Sequence, residues 1–380
     1  MRIALVLPGL GRVQRGAETA FLELARSLHG RPGVSVEMFG SGNAGVGDVP
    51  VHVIPCSARE KFERWPNFPA FRSDCHYEEF SFAKNLARSG RYHPRDFDVV
   101  VGCTYPHLNW FLRRAGRHQG PRIVYVTQNG DWPCYNRSRE FRFFHCDALV
   151  CTNPEFYRAH QDRYSSCLIP NGVDPEIFYP VEPNSPRSEL LRGVPKGRVI
   201  LMASALIPSK HVADGIMAAA GVPDSFLVVV GDGPMRKEIS ELAEQHLPGR
   251  HRLLGNVSRV MMPDLFRGAD VFLHMSRDEP FGIVYLEAAA TALSIVAHDS
   301  EIPRWILGDC ALFADTQDLD AVAFRLSTAL ESKTGSRLGA EARRRVLDGW
   351  TWDAQADQYL DFFHSLNGIR KPELLTQLAS

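Results

Sequence analysis

The chain has 380 residues, 44% of them apolar and 23% charged, with a formal net charge of −1. At about 100–200 residues per domain, this length predicts two domains. The ordinary composition excludes a polybasic nucleic-acid binder, a disordered acidic chain and a mini-scaffold. Up to Pro180 there are 22 Lys and Arg against 18 Asp and Glu, and beyond it 21 against 26, so an anionic ligand or surface is expected to meet the first half. The eight cysteines, Cys56, Cys75, Cys103, Cys134, Cys146, Cys151, Cys167 and Cys310, form no C-x-x-C pair. They read as reduced, mostly buried thiols of a cytoplasmic protein. The apolar run before Pro8 is too short for a signal-peptide core, and no run approaches the ~20 residues of a membrane span. Any membrane contact is therefore expected to be peripheral, at the inner face, through the first domain.

In chain order, the short runs IALVLP, VSVEMFG, VHVIP, DVVVGC, RIVYVT and ALVCT alternate with helical stretches such as ETAFLELARSLH. That alternation predicts an open parallel sheet wrapped by helices. After the Pro- and Asn-rich stretch PVEPNSPRSELLRGVPKG the pattern restarts with RVILMAS, FLVVVGDG, HRLLG, DVFLHMS, IVYLEAAAT and SIVAHD. The sequence thus predicts an α/β protein with a Rossmann-like domain over 1–180, a second over 181–350, and a helix in 351–380 lying back across the first.

Ligands of doubly wound sheets bind beyond the carboxyl ends of the strands, where loops run into helix N-termini. Three segments occupy such places. In PGLGRVQRGAET the third glycine of a dinucleotide fingerprint falls on Gln14, which argues against a nicotinamide site and leaves a loop whose amides near Gly16 can approach an anion. In VGDGP, Gly231 and Gly233 either admit a ligand to the backbone or simply make a turn. In SRDEPFGIVYLEAAAT, Glu279 precedes a helix opened by Gly282, and Glu287 lies inside it among apolar residues. A buried carboxylate there needs a partner, for which a pair of ligand hydroxyls is one candidate.

The sequence resembles the retaining glycosyltransferases of family 4. The resemblance rests on Gly16-Ala17-Glu18, PNGVDPEIFYP from Pro170 to Pro180, ALIPSK from Ala205 to Lys210, VGDGP, LLGNVS, FRGADVFLHMS, Glu279 and Glu287 spaced by seven residues, and Thr351-Trp352. It implies the GT-B fold, two facing Rossmann-like domains with a cleft between them, and transfer of a sugar from a nucleoside-diphosphate sugar to an acceptor hydroxyl. By the family's roles, Glu287 accepts from the ribose hydroxyls, Glu279 and the amides near Phe281, Gly282 and Ile283 hold the transferred sugar, and Lys210 neutralises the diphosphate. Gly16, Gly231, Gly233, Asn256 and Val257 complete the expected donor site. A UDP-sugar is the expected co-substrate ahead of a GDP-sugar, with no further cofactor. The acceptor is expected to be a glycan, a lipid-linked glycan or a small molecule, and nucleic acid is not an expected partner.

Two departures from the family pattern stand out. The arginine usual five residues before Lys210 is Ala205 here, and the histidine usual after a first-domain strand is replaced by Gln128, Asn129 and Asp131 in YVTQNGDWP. His107, at the end of another strand, is then a candidate catalytic or acceptor-side group beside Glu279 and Lys210. Trp65 and Arg72, within the aromatic and basic stretch 59–95, are further acceptor candidates, against the plainer reading of a helical insertion. Asp96 and Asp98 precede a strand, and Asp318 and Asp320 open a helix, so no D-x-D metal site is expected and the transfer is expected to be metal-independent. A non-transferring sugar-nucleotide epimerase or hydrolase, and an inactive sugar-nucleotide-binding subunit, are the alternatives.

Overall fold

The computed structural model describes residues 1–13, 15–43, 47–62, 64–68, 71–115, 120–130, 134, 143–181, 188–195 and 198–366. They divide into two compact units, Met1–Asn171 with the stretch from Trp352 onward, and Gly172–Thr351.

In the first unit, β1 (Arg2–Val6), α1 (Gly16–His29), β2 (Ser35–Gly40), β3 (Val51–Val53), α2 (Asp74–Arg88), β4 (Val99–Gly102), α3 (His107–Ala115), β5 (Arg122–Val126), β6 (Ala148–Cys151), α4 (Pro154–His160) and β7 (Ser166–Leu168) follow one another. The strands form one parallel sheet in the order β3-β2-β1-β4-β5-β6-β7. Helices cover both faces of such a sheet, so its central strands are continuous apolar runs rather than alternating ones; every residue of β4 and β6 is buried.

The second unit repeats the plan with β8 (Val199–Ala203), α5 (Val212–Ala220), β9 (Phe226–Val230), α6 (Arg236–His246), β10 (His251–Gly255), α7 (Met262–Arg267), β11 (Val271–His274), α8 (Ile283–Ala290), β12 (Ser294–His298), α9 (Glu301–Leu307), β13 (Leu312–Ala314), α10 (Leu319–Ala329) and α11 (Ser332–Leu347). Its parallel sheet has the order β10-β9-β8-β11-β12-β13. Along β8, Val199, Leu201 and Ala203 enter one core while Ile200 and Met202 enter the other, the two-residue period of a strand buried on both faces. In each sheet the order reverses once, between β1 and β4 and between β8 and β11, which is where doubly wound folds bind ligands.

The first unit ends before residue 180. Val173 bridges to Thr351 and its amide donates to the Trp350 carbonyl at 2.9 Å, while Phe178 is part of the second unit's core. The last helix, α12 (Trp352–Leu366), packs on α1, where Arg31 donates to the Asp353 carbonyl at 2.9 Å.

One member of each acidic pair has a structural role. Asp98 accepts from the Arg2 amide at 2.7 Å, at the amino end of β1, and Asp318 caps α10 by accepting from the Ala321 amide at 2.9 Å. Among the described residues, no group of three His, Cys, Asp or Glu is placed to hold a metal ion, and no helix is long and apolar enough to cross a membrane. All eight cysteines are thiols rather than disulfides; four are buried, but Cys75 is exposed and three are intermediate, so burial is less general than their apolar surroundings predict.

Candidate active site

Beyond β8 the chain runs through Ser204–Ile207 into a short 3-10 turn, Pro208–Lys210. Beyond β11 it runs through Met275–Phe281 before α8 begins. Because β8 and β11 are neighbours in the sheet, these loops meet. Ser276 Oγ donates to the Ser209 carbonyl at 3.5 Å, and Arg277 donates to Asp214 at 2.9 Å. Lys210 Nζ donates to Glu279 Oε2 at 2.5 Å, and His274 Nε2 lies 2.9 Å from the same oxygen. Burial by itself would push the Glu279 carboxyl up. The hydrogen bond and charge of His274, and then the charge of Lys210, outweigh it and hold the group down at about 2. Glu279 is therefore an anion at all ordinary pH values, carrying a cation at its side.

Gly282 opens α8 at φ 78°, the left-handed region, and a Cβ there would press on the Tyr285 ring and on Glu279. Glycine thus lets the Glu279 loop turn directly into the helix, whose first amides have no partner within the helix itself. Phe281 is buried in the core below. One and a half turns on, Glu287 is 1% exposed and accepts from Arg259 Nη1 through Oε1, while its buried Oε2 has no hydrogen-bond partner. The partner that the sequence required for this carboxylate is thus, in part, an arginine. Arg259 also lies over the Phe178 ring, 5.2 Å from its centroid.

The remaining expected donor groups divide. At Gly231 (φ 128°) a Cβ would collide with the Ser204 carbonyl, and at Gly233 with that of Leu206. Both glycines are explained by close approach of their loop to the one after β8. Asn256 and Val257 follow β10, Asn256 being exposed. Ala205 is exposed on the Lys210 loop. Gly16 belongs to the first unit, at the start of α1, where a Cβ would meet open space.

In the first unit, His107 begins α3 within an aromatic group, its ring centroid 4.6 Å from Phe71 and 5.6 Å from Trp110. Gln128 exchanges amide hydrogen bonds with Asn171 at 2.5 and 3.2 Å. The side chain of Asn129 and all of Asp131 lie outside the described residues. Trp65 is 53% exposed, its edge against Phe62 and Tyr77. Within the stretch 59–95, Asp74–Arg88 form α2, which buries Tyr77, Phe82 and Leu86. From the same stretch, Arg59, Ser73 and Glu78 help line a cavity of about 310 Å³, which Trp65 and Arg72 do not line.

Residues 14–177 match the family model for Glycosyltransferase Family 4, and residues 191–345 that for Glycosyl transferases group 1. This chain belongs to that glycosyltransferase family. An alpha-maltose-1-phosphate synthase of Mycolicibacterium smegmatis is 29% identical over 53% of the chain and 57% of that relative. A GDP-mannose-dependent alpha-(1-6)-phosphatidylinositol monomannoside mannosyltransferase of the same organism is 29% identical over 64% of the chain and 70% of the relative. The chain thus spans little more than half of the first of these curated relatives. Anabaena Alr3699/HepE, solved in complex with UDP and glucose, superposes with a TM-score of 0.74 at 17% identity, covering 96% of this chain and 100% of that one. Sucrose-phosphate synthase from Thermosynechococcus elongatus gives 0.75 at 19% identity, covering 97% and 100%. The fold is therefore GT-B.

Two residues of this family 4 glycosyltransferase escaped sequence reasoning. His274 ends β11 in an otherwise apolar strand, and its position five residues before Glu279 was the available signal. Arg259, in the LLGNVSR turn, carries no signal of pairing with Glu287, because 28 residues separate them.

Proposed function

We propose that this glycosyltransferase transfers a hexose or related sugar, with retention of anomeric configuration and without a metal, from a nucleoside-diphosphate sugar to an acceptor hydroxyl. The observation that carries the reading is the meeting of Lys210 and Glu279 beyond the carboxyl ends of β8 and β11, where the second sheet reverses its order. A departing nucleoside diphosphate gathers negative charge, and a cation with helix-terminal amides is the arrangement that stabilises it. In this reading, Lys210 and the first amides of α8 hold the diphosphate, Glu279 holds hydroxyls of the transferred sugar, and the unpartnered Oε2 of Glu287 accepts from the ribose. The bond from the sugar's C1 to the diphosphate oxygen breaks. The acceptor oxygen bonds to C1 on the same face, and its proton passes to the departing phosphate oxygen. His107 and Gln128, from the first unit, are proposed acceptor-side groups, as are Asn129 and Asp131.

A UDP-sugar is the proposed donor, since the solved neighbour named above was found with UDP and glucose, while a curated relative is named as GDP-mannose-dependent. The acceptor is a glycan, a lipid-linked glycan or a small molecule. The protein is proposed to work in the cytoplasm, with any membrane contact through the first unit. The test is incubation with UDP-glucose, UDP-galactose and GDP-mannose in EDTA, with and without a panel of acceptors, followed by mass spectrometry and anomeric NMR of the product. Acceptor-dependent product of retained configuration is expected. Conversion of donor without acceptor would make the protein an epimerase or hydrolase; binding of no sugar nucleotide would remove the reading.

A further inference from the structure

Glu279 Oε2 accepts from two donors at once, Lys210 Nζ at 2.5 Å and His274 Nε2 at 2.9 Å, and all three groups belong to the second unit. The two donors differ in freedom. Lys210 sits on the short turn beyond β8 with its side chain 21% exposed, whereas His274 ends β11 and is 4% exposed. The imidazole stacks on the Phe272 ring, centroids 6.0 Å apart, and meets the Tyr285 ring edge to face at 5.0 Å. A lysine on its flexible stem can be drawn to another anion; the imidazole is clamped against the carboxylate. Because an ionised carboxylate only accepts, Nε2 carries the shared proton, and Nδ1 is the nitrogen left to take up another.

A nucleoside-diphosphate sugar brings a strong anion to the same lysine. Once Lys210 turns to it, Glu279 is left partly desolvated beside a second anion with its nearest cation gone, which is costly in such surroundings. Of the two donors to Glu279, only the imidazole changes its charge near neutral pH. The other ionisable groups nearby are committed elsewhere. Tyr285, from α8, keeps its hydroxyl proton, because burial and then the Glu279 charge raise it well above the usual range. Glu287, further along α8, is held by Arg259. On the loop after β11, Arg277 pairs with Asp214, and Asp278 is exposed. His211, which follows Lys210, has Nδ1 3.3 Å from Asp214 Oδ2. His298, at the end of β12, turns its Nδ1 to the Thr316 amide at 3.2 Å.

We propose that binding of a nucleoside-diphosphate sugar draws Lys210 from Glu279 to the diphosphate, and that His274 takes up a proton from solvent as it does, becoming the cation that keeps Glu279 ionised and in place. His274 is then a positioning residue that acts through Glu279. The proposal rests on the donor-site reading given above. A proton taken up on binding means that the donor binds more tightly as the pH falls.

The test is calorimetry of the full chain with UDP-glucose and with GDP-mannose, whose diphosphate diesters do not themselves titrate near neutral pH. Runs in buffers of different ionisation enthalpy count the protons. The wild type is expected to take up about half a proton or more per donor bound at about pH 7, and to gain affinity several-fold from about pH 8 to about pH 6, within the limit of about tenfold per unit for one proton. His274→Gln keeps an amide donor for Oε2 and cannot ionise, so it should bind within about twofold of the wild type at about pH 8 while losing both the uptake and the pH slope. His211→Asn, at a left-handed position (φ 50°) that asparagine tolerates, should keep both. Uptake that survives in folded His274→Gln, or disappears in His211→Asn, overturns the proposal. Should His274→Gln fail to fold, the proton counts of the wild type and of His211→Asn decide. Binding to the wild type without proton uptake removes this proposal and leaves the donor site standing, whereas binding of neither donor removes the donor-site reading itself, so the two fail separately.

Discussion

Lys210 and Glu279, 69 residues apart in sequence, share a 2.5 Å ion pair because one follows β8 and the other follows β11, its neighbour in the sheet. The pair is only partly exposed, with His274 on the same carboxylate oxygen. This gives the lysine a fixed position rather than the many rotamers of a surface side chain.

Lys210→Ala is expected to lower kcat by about 10²–10³-fold, the usual effect of losing one group that stabilises developing charge. It also changes acid stability in a defined direction. A carboxyl held at about 2 when folded, below its unfolded value of 4.5, adds stability above pH 4.5 that is lost as pH falls toward 2. Without Lys210 the folded value rises, so part of that stability disappears and acid unfolding begins at higher pH. Melting curves between pH 3 and 6, at about half-unit steps, read this. Identical curves for variant and wild type would show that His274 alone sets the Glu279 charge.

The Arg259–Glu287 pair gives a second prediction. Arg259→Ala leaves a carboxylate 1% exposed without its cation, and removing one member of such a pair is costly, on the order of 3 kcal/mol with Arg259 itself part-exposed. Adding Glu287→Gln to it should restore much of the loss, since the uncompensated charge is gone. Glu287→Gln alone should weaken UDP binding, measured by calorimetry, if the free Oε2 serves the ribose. A double variant no more stable than Arg259→Ala would mean that the arginine matters through its packing on Phe178.

The strand pattern carried the fold because the central strands, β4, β6, β8 and β9 among them, are buried on both faces, so their apolar runs of four to five residues mark the sheet directly. The ends of the units were less legible. PNGVDPEIFYP falls within the first domain as expected over 1–180, yet Val173 and Phe178 already belong to the second unit's core. For the site, a loop position after a strand pointed to Glu279 and the family resemblance to Lys210; His274 lay within local reach of Glu279, while Arg259 meets Glu287 across 28 residues, which no local pattern encodes. At Gly231 and Gly233 the close approach of the loop after β8 already requires glycine, so the spacing alone does not separate a turn from a ligand site.

Glu79 supplies a pH prediction away from the donor site. Burial pushes its carboxyl up to about 8, against the hydrogen bonds at the start of α3 that lower it. Its folded value lies above its unfolded one, so the wild type is most stable below pH 4.5 as far as this group is concerned. It loses stability as pH rises from there toward 8, by a few kcal/mol at about 1.4 per unit. Glu79→Gln keeps an oxygen for the Leu108 amide and cannot ionise. It should match or slightly lower the wild-type melting temperature at pH 5 and exceed it at pH 8. A constant difference between the two across that range would place the ionisation elsewhere.

Ala205 offers the sharpest test of how the diphosphate is held. The family places an arginine here; in this chain the position is exposed, on the loop that ends at Lys210, with its backbone close to Gly231. Exposure leaves room for a longer side chain without displacing core residues. A guanidinium reaching the same anion as Lys210 would add charge-assisted bonds worth about 1.5–3 kcal/mol before side-chain ordering is subtracted. Ala205→Arg is therefore expected to tighten UDP or GDP binding by roughly tenfold at low salt. The gain should shrink as salt rises, and Lys210→Ala should be partly rescued by it. Loss of affinity at an unchanged melting temperature would mean that another group already occupies this space. Unchanged affinity and rate would mean that residue 205 does not face the diphosphate, and the alignment of ALIPSK with the family's phosphate-binding loop would then be wrong.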